Sequence, residues 1–169
     1  MDWIAESAHA WKREYPALDS SCLPPLVRAA RLGVLIESFQ QAVLEPFELS
    51  ASDYGVLAAL RRSGTPYRLS PSLLYSRLQR SSGGMTKMLK RLEERGLVAR
   101  VPDPEDGRGL LVELTKSGSK LQEEIFNAFL AASQDLFVGF RPSETRQMDA
   151  ALEVLTDSLE EFLGLGGLA

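Results

Sequence analysis

Residues that carry most enzyme chemistry are scarce in this 169-residue chain, which has one cysteine, Cys22, and one histidine, His9. A single cysteine excludes an intrachain disulfide framework and fits a reducing compartment. The chain also lacks a glycine-rich phosphate loop and metal-ligand spacing, which predicts no enzyme, no cofactor and no metal site. The start, M-D-W-I-A-E-S, is not a signal sequence, and no apolar run approaches about 18 residues. We therefore expect a cytoplasmic protein without a membrane span.

Acidic side chains are missing from one stretch, residues 61–91, which we call the basic band. Residues 1–60 hold four basic against eight acidic side chains and residues 92–169 hold seven against fifteen, whereas the band holds eight against none. On a chain with a net charge of −4, such a band predicts a polyanionic partner approached through that band. Its basic residues are Arg61, Arg62, Arg68, Arg77, Arg80, Lys87, Lys90 and Arg91.

Helical spacing and helix-terminal residues predict three helices in the first 62 residues. Pro24-Pro25 marks a helix start, because proline suits the first helical turn, and Pro46 stops that helix. Ser50 followed by Asp53 has the form of a capping box. We expect helices over residues 4–13, 26–45 and 50–62.

The second half of the band predicts a helix-turn-helix. Ser70 with Pro71 starts a short helix over residues 72–79, and Ser81 or Ser82 caps a second one that ends near Gly96. At 100° per residue the second helix has an apolar side and a cationic side, and a cationic side is most often only a solvated surface. The pairing of two short helices, the second basic, favours DNA recognition. The apolar side holds Met85, Met88, Leu89 and Leu92, and the opposite side holds Gly83, Lys87, Lys90 and Glu94.

Apolar side chains recur at every second position in residues 97–101 and 110–114. This alternation predicts a two-stranded ribbon with P-D-P-E-D-G-R-G at its tip. A ribbon directly after a helix-turn-helix is a wing. Arg108 at the tip is expected to reach a minor groove, to pair with Asp103 or Asp106 in the hairpin, or to do both.

Two long amphipathic helices are expected after the ribbon. Thr115 caps the first, over residues 116–138, and Ser143 caps the second. The second has a heptad seam that predicts packing on another subunit. A two-fold dimer would set two basic helices roughly 34–36 Å apart, one turn of a palindromic duplex. The seam residues are Met148, Leu152, Leu155, Leu159 and Phe162.

These features predict a set of contacts with double-stranded DNA. Residues at the start of the second helix are expected near base edges, and flanking residues near phosphates. A winged helix that binds another protein is the rival hypothesis, which the acid-free band disfavours. The predicted base-edge residues are Ser81, Ser82, Gly83, Thr86 and Lys87. The predicted phosphate contacts are Ser70, Ser72, Arg77, Lys90 and Arg91.

Residues 49–121 resemble the MarR family of winged-helix transcriptional regulators. The resemblance rests on L-S-A-S-D-Y-G-V-L, S-S-G-G-M-T-K-M-L-K-R-L-E-E-R-G-L-V, D-P-E-D-G-R-G and L-T-K-S-G. It implies a mainly α fold with a small β wing, palindromic operator binding by a homodimer, and release of DNA when a small ligand or an oxidant acts. One domain, 1–169, would comprise an N-terminal extension (1–23), dimerisation helices (24–48 and 116–163) and the winged helix-turn-helix lobe (49–115).

The segments W-K-R-E-Y-P-A-L-D, L-E-P-F-E-L-S and P-Y-R-L-S-P are similar to the PecS/urate-responsive branch of this family. That branch binds its ligand between the DNA-binding lobe and the dimerisation helices. Trp11 matches its tryptophan and Arg100 its wing arginine, whereas Gly55 and Met88 replace an acidic residue and an arginine. The resemblance therefore implies a more apolar or aromatic acid ligand than urate, or no ligand, near Trp11, Tyr54, Met88 and Arg100. Since some relatives sense oxidants through a cysteine near the first helix, Cys22 is the alternative sensor.

Overall fold

The computed structural model describes residues 2–78, 82–106 and 109–165, and it shows a mainly α-helical chain with a small antiparallel sheet. The mainly α fold with a β wing is confirmed. The chain divides into two compact units, Met1–Ala128 and Phe129–Ala169. The helices are α1 (Trp3–Glu14), α2 (Leu23–Leu44), α3 (Ala51–Arg62), α4 (Pro71–Arg77), α5 (Ser82–Glu94), α6 (Lys116–Phe137) and α7 (Pro142–Phe162). The strands are β1 (Arg68–Leu69), β2 (Val98–Pro102) and β3 (Leu110–Leu114).

Helix starts in the first unit follow the capping chemistry of the sequence. The Asp2 carboxylate accepts the backbone N–H groups of Ile4 and Ala5 and so extends α1 beyond the expected residue 4. The helix α2 begins at Leu23, three residues earlier than expected, because Pro24 and Pro25 lie within its first turn rather than before it. A 3-10 turn, Glu45–Phe47, then leads to α3.

The capping box predicted at the start of α3 is present. The Ser50 hydroxyl accepts the backbone N–H of Asp53 at 3.1 Å, and the Asp53 carboxylate accepts the backbone N–H of Ser50 at 3.2 Å. Asp53 is buried, with 4% of its surface exposed. The box therefore fixes an acidic side chain inside the lobe.

The wing belongs to a three-stranded sheet rather than a two-stranded ribbon. Its order is β1-β3-β2, with all pairs antiparallel. The short segment before α4 supplies β1, in which Arg68 pairs with Glu113 of β3. Because β1 occupies the second edge of β3, the base of the wing is fixed to the helical lobe.

The core of the lobe forms where α3, α4, α5 and β3 meet. Its members are apolar side chains at helical or alternating spacing, as the periodicity predicts. The helix α6 approaches the sheet closely through Gly118, whose missing side chain leaves room for the backbone of Leu97. Fully buried members include Leu57, Leu60, Leu74, Met85, Leu89, Leu92 and Val112.

The two C-terminal helices differ in how they begin. The Thr115 hydroxyl accepts the backbone N–H of Gly118 at 2.9 Å, so the predicted cap of α6 is confirmed. The predicted cap of α7 by Ser143 is wrong, because Pro142 opens that helix and Arg141 is the cap residue. The Glu144 carboxylate accepts the Arg141 backbone N–H at 2.8 Å. None of the helices in the described ranges has both the length and the apolar composition needed to cross a membrane.

Candidate nucleic-acid interface

The short helix α4 precedes α5 and carries the predicted phosphate contacts Ser70 and Ser72. Pro71 occupies its first position, and the Ser70 hydroxyl accepts the backbone N–H of Leu73 at 3.3 Å. The Ser70 and Ser72 hydroxyl oxygens are 3.0 Å apart. Leu74 is fully buried and anchors α4, which leaves Arg77 exposed in the last turn.

The helix α5 presents the two sides that its sequence predicts. The apolar side is buried in the lobe, with at most 7% exposure at Met88. On the opposite side Thr86, Lys87 and Lys90 are exposed. Lys90 lies 3.8 Å from Glu94 with both side chains largely in solvent, an ion pair of little energetic weight. The exposed side is therefore cationic and has room for a polyanion.

Several arginines of the basic band are already held by other side chains. The Arg61 guanidinium donates to the Ser119 hydroxyl at 2.6 Å and lies over the Tyr67 ring at 4.9 Å. Arg68 forms an ion pair with Glu113 at 2.8 Å across β1 and β3. By contrast, Arg77 and Lys87 take part in no ion pair among the described residues, so both side chains can contact a ligand.

Arg91 in the last turn of α5 and Arg95 directly after this helix contact the segment from the 3-10 turn to the first turn of α3. Arg91, predicted to hold a phosphate, donates to the buried Asp53 carboxylate at 2.5 Å. Arg95 donates to the carbonyl oxygens of Glu48 at 2.7 Å and Phe47 at 3.1 Å. Sequence reasoning missed the role of Arg95, although its place one helical turn after Arg91 was a usable signal.

The wing tip is closed by backbone hydrogen bonds. The Asp103 N–H donates to the Gly109 carbonyl at 3.0 Å, and the Gly109 N–H donates to the Asp106 carbonyl at 2.8 Å. The predicted contacts of Arg108 and Ser81 fall outside the described residues, as do those of the Ser82 and Gly83 side chains. At the base of the wing Arg100 forms an ion pair with Glu93 of α5 at 2.8 Å.

The predicted ligand residues lie in different places. Gly55 and Met88 line one cavity of about 200 Å³ where α2, α3, α4 and α5 meet, and none of its lining residues is ionisable. Trp11 lines a second cavity of about 270 Å³ between α1 and α2. Tyr54 lines neither, and Arg100 is engaged by Glu93. The chain thus brings Gly55 and Met88 together but not Trp11, Tyr54 and Arg100.

Tyr54 lies in a groove of about 490 Å³ between α3 and α6, which we call the α3/α6 groove. Burial raises the pKa of the Tyr54 hydroxyl, while its hydrogen bond with Gln122 and the nearby Arg62 charge oppose that shift. The hydroxyl therefore stays protonated at neutral pH. Phe126, with 54% of its surface exposed, forms an aromatic wall of the same groove.

Cys22 lies directly before α2 and is exposed. Two of the cations near it in sequence have partners elsewhere: Arg28 pairs with Asp2, and Lys12 donates to the carbonyls of Pro16 and Leu18. Oxidation sensing through Cys22 stays an untested alternative.

Comparisons with known proteins agree with this geometry. The MarR family model matches residues 47–109, from the 3-10 turn to the wing. The chain is 29% identical to the transcriptional regulator PecS of Dickeya dadantii over 149 residues, which cover 88% of this chain and 90% of PecS. It is 33% identical to the multiple antibiotic resistance protein MarR of Salmonella typhimurium over 112 residues, 66% of this chain and 74% of that protein.

A solved structure of a mutant E. coli MarR complexed with operator DNA is also similar, with a TM-score of 0.63 and 26% sequence identity. The similarity covers 78% of this chain and 95% of that one. PecS is named as a transcriptional regulator, and the E. coli protein was solved in complex with operator DNA. The chain belongs to the MarR family and is a DNA-binding transcriptional regulator with a winged helix-turn-helix.

Proposed function

We propose that the protein acts in the cytoplasm as a homodimeric repressor that places α5 of each subunit in successive major grooves of a palindromic operator. The observation that carries this proposal is the exposed cationic side of α5, opposite a fully buried apolar side. A helix anchored on one side and positive on the other can enter a groove without disturbing the core. The role is that of a binding protein, without catalysis or a cofactor.

The proposed DNA contacts fall into the two groups expected from the sequence, one at base edges and one at phosphates. Thr86 and Lys87 would face base edges together with Ser81, Ser82 and Gly83 at the start of α5. Arg77 and Lys90 are exposed and suit phosphates, since contacts to phosphate need charge more than fixed geometry. Ser70 and Ser72 remain proposed phosphate contacts at α4, and Arg108 a minor-groove contact.

A matched pair of lysine variants tests the interface. Lys90 of α5 and Lys120 of α6 are each 3.8 Å from a glutamate four residues on, and their side chains are 75% and 82% exposed. Lys90→Ala should weaken binding to a duplex selected by the wild-type protein and lower the salt slope by about two, because each dimer loses two phosphate contacts. Lys120→Ala should change neither the affinity for this duplex nor the salt slope. Equal effects of both variants would show that α5 is not the contact surface.

Dimer formation is supported by apolar surface on helices that flank the lobe. On α7 the seam residues Leu152, Leu159 and Phe162 are 45%, 40% and 85% exposed in the single chain. On α2 both Val34 and Ile36 are about half exposed. Monomers rarely leave such stripes uncovered. Sedimentation equilibrium should give twice the chain mass of 18.6 kDa, and a monomer at micromolar concentration would contradict the proposal.

A small aromatic acid is the effector that the α3/α6 groove fits best. Its ring would pack on Phe126, the Tyr54 hydroxyl would donate a hydrogen bond, and Arg62 would bind the carboxylate. The cavity at Gly55 and Met88 has no charged lining residue and therefore suits a small uncharged molecule instead. The two sites make opposite predictions about ligand charge.

Benzoate and benzamide distinguish these sites, because they share a ring and differ in charge. At 100 times its dissociation constant a ligand stabilises the fold by about 2.7 kcal/mol, which a thermal unfolding assay detects. Benzoate should raise the melting temperature more than benzamide, and Arg62→Ala should abolish the difference. Stabilisation by benzamide alone would favour the Gly55 cavity, and no response to either compound would remove the proposed acid effector.

A further inference from the structure

Arg91 in the last turn of α5 and Arg95, the residue after its last residue, contact the region where α2 is joined to α3. The Arg91 guanidinium meets the Asp53 carboxylate in the first turn of α3. The Arg95 guanidinium donates to the carbonyl oxygens of Phe47 and Glu48, at the end of the 3-10 turn. Arg95 directly follows α5, and its backbone N–H donates to the Arg91 carbonyl at 3.1 Å, so both arginines lie at the C-terminal end of this helix. We call this pair the arginine clamp.

Both oxygens of the Asp53 carboxylate, which Arg91 contacts, accept hydrogen bonds from the protein. One Asp53 oxygen accepts the Ser50 hydroxyl at 2.7 Å and the Ser50 N–H at 3.2 Å, and the other accepts Arg91. The Asp53 side chain is 5% exposed, so solvent cannot replace the guanidinium there. A buried carboxylate that loses its cation is strongly disfavoured. Arg91 is therefore drawn to Asp53 whether or not DNA is present.

The acceptors of Arg95 are backbone carbonyls at the end of a helix. Such carbonyls lack partners within the helix and need donors from elsewhere. Glu48 has a φ of 53°, a left-handed conformation that costs a residue other than glycine some free energy. The two hydrogen bonds from Arg95 hold this turn in place. They also tie its geometry to the C-terminal end of α5.

We propose that the arginine clamp positions the recognition helix: Arg91 and Arg95 fix α5 against the α2–α3 junction, and Arg91 acts through Asp53 rather than as a phosphate contact. This inference rests on the proposed function in one respect: it assumes that α5 contacts the bases of DNA, so that its position affects recognition of the sequence. Base contacts tolerate less displacement than phosphate contacts, because they depend on the geometry of individual hydrogen bonds. Loss of the clamp therefore reduces selectivity for sequence more than attraction to DNA.

Two variants of opposite charge separate this role from a phosphate contact. Asp53→Asn adds one positive charge and leaves an amide oxygen for the Ser50 N–H, whereas Arg91→Met removes one positive charge. If Arg91 serves DNA phosphates, Asp53→Asn frees it and leaves binding unchanged or tighter. If Arg91 positions α5, both variants weaken binding to the selected duplex, by roughly tenfold each, and the double variant is no weaker than either.

Salt dependence supplies the second criterion. We would measure affinity for a duplex selected from a random pool and for an unrelated duplex of equal length, between 50 and 200 mM salt. Asp53→Asn should keep the wild-type salt slope and the wild-type affinity for the unrelated duplex. Lys90→Ala is the comparison, because loss of one phosphate contact in each subunit lowers the slope of the dimer by about two. A selected-duplex affinity in Asp53→Asn equal to or above that of the wild type would overturn the clamp.

Hydrogen exchange tests the clamp without DNA. Amides of α5 between Met85 and Leu92 should exchange at least several-fold faster in Arg91→Met and Asp53→Asn, while those of α6 stay unchanged. If the wild-type protein selects no duplex, the proposed function fails and this measurement alone decides the clamp. If Asp53→Asn does not fold, the test uses Arg91→Met and Arg95→Met instead. Amide exchange in α5 that is unchanged in both variants refutes the arginine clamp.

Discussion

Substitution of Gly118 by alanine sets two effects of known sign against each other. Gly118 lies in the first turn of α6, where alanine is favoured over glycine by about 1 kcal/mol through helix propensity. An added Cβ at this position would lie 1.9 Å from the Leu97 carbonyl oxygen, 2.8 Å from the Leu97 carbonyl carbon and 3.0 Å from a Leu114 methyl. The nearest neighbours are backbone atoms, which cannot rotate away.

The contact has to open by about 1 Å to reach the shortest separation that real Cβ atoms show, 3.0 Å. The Leu97 carbonyl accepts both the backbone N–H and the hydroxyl of Thr115 at 3.1 Å, so moving it weakens two hydrogen bonds. These bonds contribute about 0.5–1.5 kcal/mol each, and overpacking a core costs about 1–3 kcal/mol. After the propensity gain, Gly118→Ala should lower the free energy of unfolding by about 3 kcal/mol.

Urea unfolding followed by circular dichroism, at one fixed protein concentration, measures this change. Gly33→Ala is the control, since Gly33 is also helical but its Cβ would meet nothing within 4 Å. That variant should be more stable than the wild type by about 0.5–1 kcal/mol. A Gly118→Ala variant as stable as the wild type would refute the proposed close approach of α6 to Leu97.

Two further outcomes follow from the exposed cations and from a helix cap. Lys87→Ala and Arg108→Ala should each weaken binding to the selected duplex in a fluorescence anisotropy titration while sedimentation still shows the dimer, and unchanged affinity in both would contradict the DNA model. Two hydrogen bonds lower the pKa of Glu144: the larger effect comes from the Arg141 side chain and the smaller from the Arg141 backbone N–H. A lowered folded-state pKa gives stability that is present above the ordinary carboxyl value of 4.5 and lost as pH falls through the folded-state value. Arg141→Ala should therefore raise the pKa of Glu144 in a carbon-13 NMR titration, and an unchanged pKa would assign the shift to another group.

Local signals in the sequence predicted most of the helices and strands. The capping box at Ser50, the proline after Ser70 and the cap at Thr115 act through residues at most three positions apart, so the sequence displays them directly. The buried side of α5 followed from helical spacing for the same reason. The cap at Ser143 was predicted wrongly because serine is a common cap residue. In the structure Pro142 lies in the first turn of α7, and the Glu144 carboxylate accepts the Arg141 backbone N–H.

Long-range contacts explain what the sequence could not predict. Arg91 and Asp53 are 38 residues apart, and Arg95 is 47 residues from Glu48, so periodicity within α5 could not reveal their partners. Residues 67–69 were expected to be a short extended piece, but their pairing with β3 was not predicted, because β1 has only two residues and its partner lies more than 40 residues away. The four proposed ligand residues were aligned by resemblance, which carries no distances. Only the folded chain shows that Trp11, Tyr54 and Met88 line three different cavities and that Arg100 pairs with Glu93.

Pairing within the fold also limits how many cations can neutralise DNA. Of the eight basic residues in the band, Arg61, Arg68 and Arg91 are held by protein partners, and Arg62 lines the α3/α6 groove. Arg80 and Arg108 lie outside the described residues and are counted as DNA contacts from the sequence. Together with Arg77, Lys87 and Lys90 they make five cations per subunit, or ten per dimer, so the logarithm of affinity should fall with that of salt at a slope of about −9. If all eight and Arg108 took part, eighteen cations would give about −16. A measured slope steeper than about −12 would show that the paired arginines also displace counterions, and the arginine clamp would then be open on DNA.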